Sequence, residues 1–174
     1  MIQNRALVSV ILAVYNEQAV IRQTIESLMQ QETTHIEIEL LIIDGGSKDK
    51  TREIVAAMIR ENNSTDIAIR LLDNPGRTAP AAFNTGIKEA KGSYVAILGA
   101  HCHYTPNYLE VCYNELNKHN AAGCSGLVFP MGNIDNWEQE LCTVMLASSF
   151  AVSGNSFRTK QAGFADTIPY AVFK

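Results

Sequence analysis

The chain has 174 residues, of which 47% are hydrophobic and 18% are charged, and its formal net charge is −4. This length and composition are typical of one globular domain with a buried core and exclude a disordered chain. The excess of acidic residues argues against a broad nucleic-acid-binding surface, so no nucleic-acid partner is expected, but it leaves room for a local basic site that binds a diphosphate.

Cysteine spacing and apolar runs indicate the compartment. The four cysteines form no C-x-x-C pair, which favours reduced thiols in a cytosolic protein: Cys102, Cys112, Cys124 and Cys142. The longest apolar run, residues 6–15, is too short to span a bilayer and lacks the small-residue cleavage site of a signal peptide. We interpret it as a buried first strand.

Apolar strands alternate with amphipathic helices from residue 8 to residue 119. The predicted strands cover residues 8–14, 38–44, 67–73 and 94–98, with a possible fifth within residues 123–130. The predicted helices cover residues 17–31, the segment after Ser47, residues 79–90 and residues 108–119. Such alternation predicts an α/β fold with a mainly parallel sheet and helices on both faces.

Capping residues and the last third of the sequence give weaker signals. Ser47 is a plausible N-cap for the second helix, and Gly92 is predicted to close the third. Beyond Gly126 the pattern fades, with one helix predicted across residues 137–149. Residues 151–167 are polar and are interpreted as a loop that forms a mobile flap over the site.

Polar or glycine-rich segments follow each of the first four predicted strands, at the sheet edge where open α/β folds bind ligands. They read VYNE, DGGSKD, NPGRTAPAAFNTG and GAHCHY. Asp44 is a candidate acceptor of hydrogen bonds from a base or ribose, although it is also a candidate cap for the next helix. Gly45 and Gly46 allow close backbone approach. Arg77 is a candidate phosphate ligand or, alternatively, a solvated loop arginine.

Taken together and in this order, these segments resemble the nucleotide-binding half of a GT-A glycosyltransferase of the large inverting family that makes bacterial polysaccharides. The DGGS form, the histidine of GAH, and the later GNSFR and GFADTIPYAVFK segments are most similar to succinoglycan-type exopolysaccharide glycosyltransferases. The resemblance implies a GT-A fold and hexosyl transfer from a nucleotide-diphosphate sugar, expected to be UDP-linked. The implied acceptor is a glycan or a lipid-linked sugar.

The resemblance also implies the residues of the donor site. A carboxylate takes the acceptor proton in such enzymes, and a divalent cation near the GAH segment neutralises the leaving diphosphate. The residues expected to bind the nucleotide are Val14, Tyr15, Asn16, Glu17, Asp44, Gly45, Gly46, Arg77, Asn84, Gly99 and Ala100.

One departure from the family concerns the metal site. Relatives of this type read Asp-Ala-His where this chain reads Gly99-Ala100-His101, so the first carboxylate is absent. His101 and His103 remain as candidate ligands, which a continuing strand would place on one face. Imidazole suits Mn²⁺ better than Mg²⁺. Metal-independent transfer, a degenerate non-catalytic domain, and histidines merely hydrogen-bonded at a strand end are the alternatives.

A second departure concerns the end of the chain. Relatives continue beyond the position of Lys174 with an acidic motif that supplies the catalytic base, and often with a membrane-anchoring region. We therefore expect one domain, truncated at its C-terminus, with a nucleotide-sugar half at about 1–110 and an incomplete acceptor-side part at about 111–174. The full-length protein is expected in the cytoplasm, at the inner face of the membrane. The catalytic residue is therefore unassigned. None of the late carboxylates matches the base motif: Asp135, Glu138, Glu140 and Asp166.

Two other functions compete with sugar transfer. A non-catalytic module that binds a nucleotide sugar or a glycan is favoured by Gly99 and by the missing base motif. A nucleotidyltransferase of similar architecture is disfavoured, because no glycine-rich phosphate loop with a lysine follows the first strand.

Overall fold

The computed structural model describes residues 5–129, 141, 143–145, 163 and 168–174. The chain divides into two compact units, Met1–Cys124 with Tyr170–Lys174, and Ser125–Pro169. In the second unit, residues 141 and 143–145 are helical, within the helix predicted at residues 137–149. The rest of that helix, and all of the predicted flap at 151–167 except residue 163, lie outside the described residues. The single domain divided near residue 110 stays a prediction.

The first unit is built on a six-stranded sheet, in the part of the chain that the structure describes, with the order β3-β2-β1-β4-β6-β5. The first four strands pair in parallel, and the last two add antiparallel ladders. The strands are β1 Ala6–Val14, β2 Ile36–Asp44, β3 Ile67–Asp73, β4 Tyr94–Leu98, β5 Gly123–Cys124 and β6 Val172–Phe173. The helices are α1 Ile21–Met29, α2 Thr51–Glu61, α3 Ala79–Glu89 and α4 Tyr108–His119. The predicted α/β fold with a mainly parallel sheet is confirmed.

The helices cover both faces of the sheet, as predicted. On one face α1, α2 and α4 contribute to a single buried cluster that includes Ile25, Met58 and Leu116. On the other face α3 packs Ala82 against Ile11 and its neighbours. Strands covered on both sides are predominantly apolar, which explains the long apolar runs in their sequences. The buried polar exceptions Ser9 and Glu39 are hydrogen-bonded to each other. None of the helices in the described ranges is long and apolar enough to cross a membrane.

The carboxyl ends of the first four strands lie at the residues predicted from sequence, because each apolar run stops where polar residues begin. Pairing places Val14 beside Asp44, and Asp44 beside Asp73, in neighbouring strands. Leu98 pairs with Leu12, two residues before the end of β1. The segments that follow these strands therefore meet at one edge of the sheet.

The structure corrects both predicted capping residues. Helix α2 begins at Thr51 after Lys50, so Ser47 is not its N-cap. Helix α3 ends at Glu89, and its C-cap residue is Ala90, in an extended conformation, rather than Gly92. Gly92 instead lies against β1, where an added Cβ would be 2.5 Å from the carbonyl oxygen of Leu7. A glycine is required there by close packing of two backbones, and a left-handed cap plays no part.

Candidate functional site

An open cavity of about 160 Å³ lies at the carboxyl ends of β1 and β2. Typical ligand pockets measure roughly 300–1,000 Å³, so a nucleotide sugar would extend well beyond it and a base alone is closer to its size. The lining combines the last residues of β1 and β2 with residues that follow β1, β2 and β3: Ala13, Val14, Tyr15, Glu17, Ile43, Gly45, Asn74, Arg77, Thr78 and Ala79. The structure therefore brings together Val14, Tyr15, Glu17, Gly45 and Arg77, which the sequence proposed for one site.

The Asp44 carboxylate is fully buried and holds the loop that follows β2. Its oxygens accept hydrogen bonds from the backbone N–H groups of Gly46 and Ser47, at 3.0 and 3.1 Å, and from the Ser47 hydroxyl at 2.5 Å. Arg52 of α2 donates to the same carboxylate and to Asp73, both at 2.8 Å. Asp44 therefore neither caps α2 nor faces the cavity in this conformation, and its contact with a nucleotide stays a prediction.

The charge state of Asp44 follows from these contacts. Burial by itself raises the pKa of the carboxyl group, but the hydrogen bonds from Ser47 and Arg52 and from the loop backbone outweigh it. The pKa therefore lies below its ordinary value, and Asp44 is ionised at neutral pH. Arg52 neutralises this charge, so Asp44 adds little negative potential to the neighbouring cavity.

The loops after β1 and β2 also hold each other. Asn16 has a positive φ of 55°, its N–H donates to the Ser47 hydroxyl, and its side-chain oxygen accepts from the N–H of Lys48 at 2.8 Å. The N–H of Glu17 donates to the Thr51 hydroxyl at 2.8 Å. The Glu17 side chain lines the cavity. The Asn16 side-chain amide instead holds the loop after β2, through its bond to Lys48.

The turn after β3 carries Arg77 and a residue that sequence reasoning missed, Asn74. Arg77 is exposed, with a positive φ of 53°, and its N–H donates to the Asn74 carbonyl at 3.1 Å. The Asn74 side chain is buried and donates through Nδ2 to the Thr78 carbonyl at 2.9 Å. Its Oδ1 has no partner among the described residues. Such an atom costs about 1–3 kcal/mol, and a polar residue directly after a buried strand was the signal that could have identified it.

Gly99 occupies a closed position rather than an empty ligand site. An added Cβ would lie 2.8 Å from both Cys102 Sγ and Tyr170 Cε1. The N–H of Gly99 donates to the Tyr104 hydroxyl at 2.7 Å, and that hydroxyl donates back to the Gly99 carbonyl at 3.2 Å. Burial raises the pKa of Tyr104 and keeps this hydroxyl protonated. A carboxylate at position 99 would therefore need both neighbouring side chains to move.

The two candidate histidine ligands do not share a strand face. A shared face would require the strand to continue past its predicted end, but β4 ends at Leu98 as predicted and the chain turns at residues 100–101. His101 and His103 are both exposed, and His101 Nδ1 lies 3.6 Å from Glu17 Oε1. In the described ranges, no three His, Cys, Asp or Glu side chains are grouped closely enough to hold a metal ion together.

The remaining predicted site residues lie at the margin of the cavity or away from it. Gly46 has a φ of 84°, and a Cβ added there would be 3.7 Å from Arg77 Nε, so the two turns approach each other closely. Ala100 is buried, and its carbonyl accepts from the Thr24 hydroxyl of α1 at 2.8 Å. Asn84 is exposed on α3 and does not line the cavity.

The fold and the position of the cavity define an α/β protein of the GT-A type. The family model described as Glycosyl transferase family 2 matches residues 9–169. The chain belongs to glycosyltransferase family 2.

Individual relatives agree with this membership. The chain is 26% identical over 171 residues to a dolichyl N-acetyl-alpha-D-glucosaminyl phosphate 3-beta-D-2,3-diacetamido-2,3-dideoxy-beta-D-glucuronosyltransferase of Methanococcus voltae, covering 95% of this chain and 52% of that protein. The chain thus spans about half the length of this curated relative.

Two solved structures share the fold. The mannosyltransferase PcManGT from Pyrobaculum calidifontis, in complex with GDP-Man and Mn²⁺, matches with a TM-score of 0.66 and 24% identity over 72% of this chain and 36% of its own. S. aureus TarS 1-349 in complex with UDP matches with a TM-score of 0.56 and 21% identity over 74% of this chain and 37% of its own.

Proposed function

We propose that the chain binds a nucleotide-diphosphate sugar, with a UDP-sugar as the expected donor, in the cavity at the carboxyl ends of β1 and β2. The protein to which it belongs transfers the sugar, with inversion, to a glycan or a lipid-linked acceptor. The proposed setting is synthesis of a cell-surface polysaccharide of the succinoglycan type, in the cytoplasm at the inner face of the membrane. Membership of family 2 and the solved complexes of similar fold support this proposal.

The observation that carries the proposal is the composition of the cavity. Tyr15 is 53% exposed at its wall and offers an aromatic face on which a base can stack. Asn74 offers a buried acceptor without a partner among the described residues, which suits a base that presents an N–H donor, such as uracil or guanine. Arg77 adds a guanidinium group for the diphosphate. Apolar, acceptor and cationic groups thus lie within one small cavity.

The proposal includes a divalent cation bound beside the cavity. Such an ion, when bound, supplies positive charge that stabilises the leaving diphosphate. The Mn²⁺ in the Pyrobaculum mannosyltransferase complex supports its use in this fold. Glu17 and His101 are the available partners near the cavity, a carboxylate and an imidazole, and this donor set fits Mn²⁺ better than Mg²⁺. The group that accepts the proton from the acceptor hydroxyl remains unassigned.

A nucleotide panel tests the proposal directly. Isothermal titration of the purified chain with UDP, GDP, CDP and ADP, with and without Mn²⁺, is expected to show saturable binding, tightest for UDP. The nucleotide sugars of the preferred base then identify the donor. A folded chain that binds none of these nucleotides would contradict the proposal.

The variant Arg77→Gly is expected to weaken nucleotide binding without lowering the stability of the fold. Arg77 has left-handed backbone geometry, which costs a non-glycine residue about 1 kcal/mol or more, so glycine should not lower the free energy of unfolding. The affinity for UDP should fall about tenfold, since a charge-assisted hydrogen bond contributes about 1.5–3 kcal/mol. Calorimetry measures the affinity and urea denaturation the stability.

Asn120→Gly is the matched control, because Asn120 caps α4 with a φ of 48° and does not line the cavity. It should leave the affinity for UDP unchanged. If the parent and Arg77→Gly bind UDP with equal affinity, Arg77 does not contact the nucleotide.

The second candidate is a non-catalytic module that binds a nucleotide sugar. It is favoured by the position of Gly99, where Tyr170 and Cys102 fill the space that a family carboxylate would need. Under this alternative, nucleotide binding is retained, and no sugar transfer is observed from any donor that the panel identifies.

A further inference from the structure

We propose that Glu17 takes over the role of the absent carboxylate, and that Glu17 and His101 are the two protein ligands of a divalent cation bound together with the donor diphosphate. The inference rests on the proposed function, since the diphosphate supplies other ligands of the same ion. The proposal keeps His101, which follows β4, as one ligand. The second ligand is Glu17, which follows β1, in place of position 99 or His103.

The first support is the geometry of the pair. Glu17 Oε1 and His101 Nδ1 are 3.6 Å apart, although 84 positions separate the two residues in the chain. Two donor atoms that each lie ~2.1 Å from one ion, at tetrahedral or octahedral angles, are ~3.0–3.5 Å apart. Only a small adjustment therefore brings both atoms to ligand distance of one ion.

The second support is that both residues are anchored to the same helix. The carbonyl oxygen of Glu17 accepts from the N–H of Ile21, the first residue of α1. Next to His101, the carbonyl of Ala100 accepts from the Thr24 hydroxyl on that helix. These bonds fix the backbone at both residues, so binding of an ion has to order only the two side chains.

The third support is charge. Glu17 lines a cavity that is proposed to receive an anionic diphosphate, where an unneutralised carboxylate would repel it. Asp44 is already neutralised by Arg52, whereas the described contact of the Glu17 carboxylate is with His101. A divalent cation between Glu17 and the diphosphate converts the repulsion into two attractions. Such ions are commonly coordinated by one or two protein ligands, with phosphate oxygens and water as the remaining ligands.

The fourth support concerns position 99, which carries no side-chain ligand and has little free space beside it. A side chain at 99 would meet Tyr170 Cε1 and Cys102 Sγ at 2.8 Å from its Cβ. The backbone of Tyr170 is held by the Tyr108 hydroxyl, which donates to its carbonyl at 2.6 Å. The carboxylate nearest to His101 in the described contacts is instead that of Glu17.

The test measures Mn²⁺ directly. Electron paramagnetic resonance of free Mn²⁺, titrated with the protein in the presence of saturating UDP, gives the affinity for the ion without any activity assay. Glu17→Gln and His101→Ala should each weaken Mn²⁺ binding about tenfold or more, since even loss of a residue that only supports a ligand costs about 10–100-fold. Glu17→Gln keeps the shape of the side chain and the backbone contacts, so the fold is retained.

The chain offers a matched control in Glu115→Gln. Glu115 Oε2 lies 3.2 Å from His119 Nε2 on α4, so it is also a carboxylate beside a histidine, but away from the cavity. This variant should bind Mn²⁺ as the parent does. In nuclear magnetic resonance spectra, Mn²⁺ with UDP should broaden the ring signals of His101 and leave those of His35 and His119 sharp.

The outcomes distinguish the inference from the proposed function. If UDP binds and Mn²⁺ strengthens the binding equally in the parent and in Glu17→Gln, the ligand assignment is wrong and the nucleotide site stands. If UDP binds the parent without any effect of Mn²⁺, the cation site is also wrong, and transfer would be metal-independent. If UDP does not bind the folded parent at all, both proposals fail.

Discussion

Asp44→Asn is expected to lower the free energy of unfolding by about 3 kcal/mol. Its carboxylate is fully buried and accepts from Gly46, Ser47 and Arg52, and hydrogen bonds to a charged group contribute about 1.5–3 kcal/mol each. An amide in the same place turns an N–H group toward donors and leaves some of them unpaired. Urea denaturation followed by circular dichroism measures the change.

Asp73→Asn is the matched control for Asp44→Asn. Arg52 donates to Asp73 at the same 2.8 Å, but the Asp73 side chain is 81% exposed. Exposed ion pairs contribute about 0–1 kcal/mol, so this variant should be nearly as stable as the parent. Equal losses in the two variants would show that burial of Asp44 does not decide its contribution.

The loop that Asp44 holds contains Gly45, which lines the cavity, so Asp44→Asn should also weaken UDP binding by roughly tenfold. Unchanged affinity in the folded variant would mean that Asp44 neither contacts nor positions the nucleotide.

Asp44 should also contribute to loss of stability in acid. Its pKa is lower in the folded protein than its ordinary value of 3.8, so its contribution is complete above 3.8 and is lost as the pH falls through the folded pKa. The difference in unfolding free energy between the parent and Asp44→Asn should therefore shrink below about pH 4. Urea denaturation of both proteins between about pH 2.5 and pH 7 tests this, and a constant difference would contradict it.

Gly92→Ala is expected to lower the free energy of unfolding by about 3 kcal/mol, from overpacking and the loss of a partly buried hydrogen bond. The added Cβ would lie 2.5 Å from the Leu7 carbonyl oxygen and 2.7 Å from Ser9 Oγ. Because the first of these atoms is backbone of β1, rotation of a side chain cannot relieve the clash. The N–H of Gly92 also donates to the Ser9 hydroxyl, which donates to the buried carboxylate of Glu39.

Gly45→Ala is the control for Gly92→Ala. Its nearest contacts would be at 3.5 Å, an ordinary van der Waals distance, and its φ is not positive. Thermal and urea denaturation should therefore show a much smaller loss than for Gly92→Ala. If the two alanine variants unfold at the same urea concentration, close packing of Gly92 on β1 does not limit stability.

The sequence by itself determined the first four strands and the residues at which they end, whereas β6 was not predicted. The predominantly apolar segments that end at Val14, Asp44, Asp73 and Leu98 are each followed by a polar or glycine-rich loop, and burial on both faces favours such apolar segments. Helix α4 also lies where its periodicity predicted it, with Leu109, Cys112 and Leu116 buried. These properties depend on neighbours close in the chain, and hydrophobic burial reports them directly.

The sequence also indicated which segments form the site, because the topology of a parallel sheet gathers the ends of its strands at one edge. Tyr15, Glu17, Gly45 and Arg77 all line the cavity for that reason. What each side chain does there was not determined by topology. The role of a polar side chain depends on partners within about 3 Å, and those partners come from other elements.

Only the tertiary structure decided those partners. Arg52 and the backbone of residues 46–47 make Asp44 a buried support of its loop. Tyr170, 71 positions further along the chain, closes the space beside Gly99. The turn at residues 100–101 places His101 Nδ1 3.6 Å from Glu17 Oε1. Each result depends on distances of a few ångströms between segments remote in sequence, which periodicity and composition do not encode.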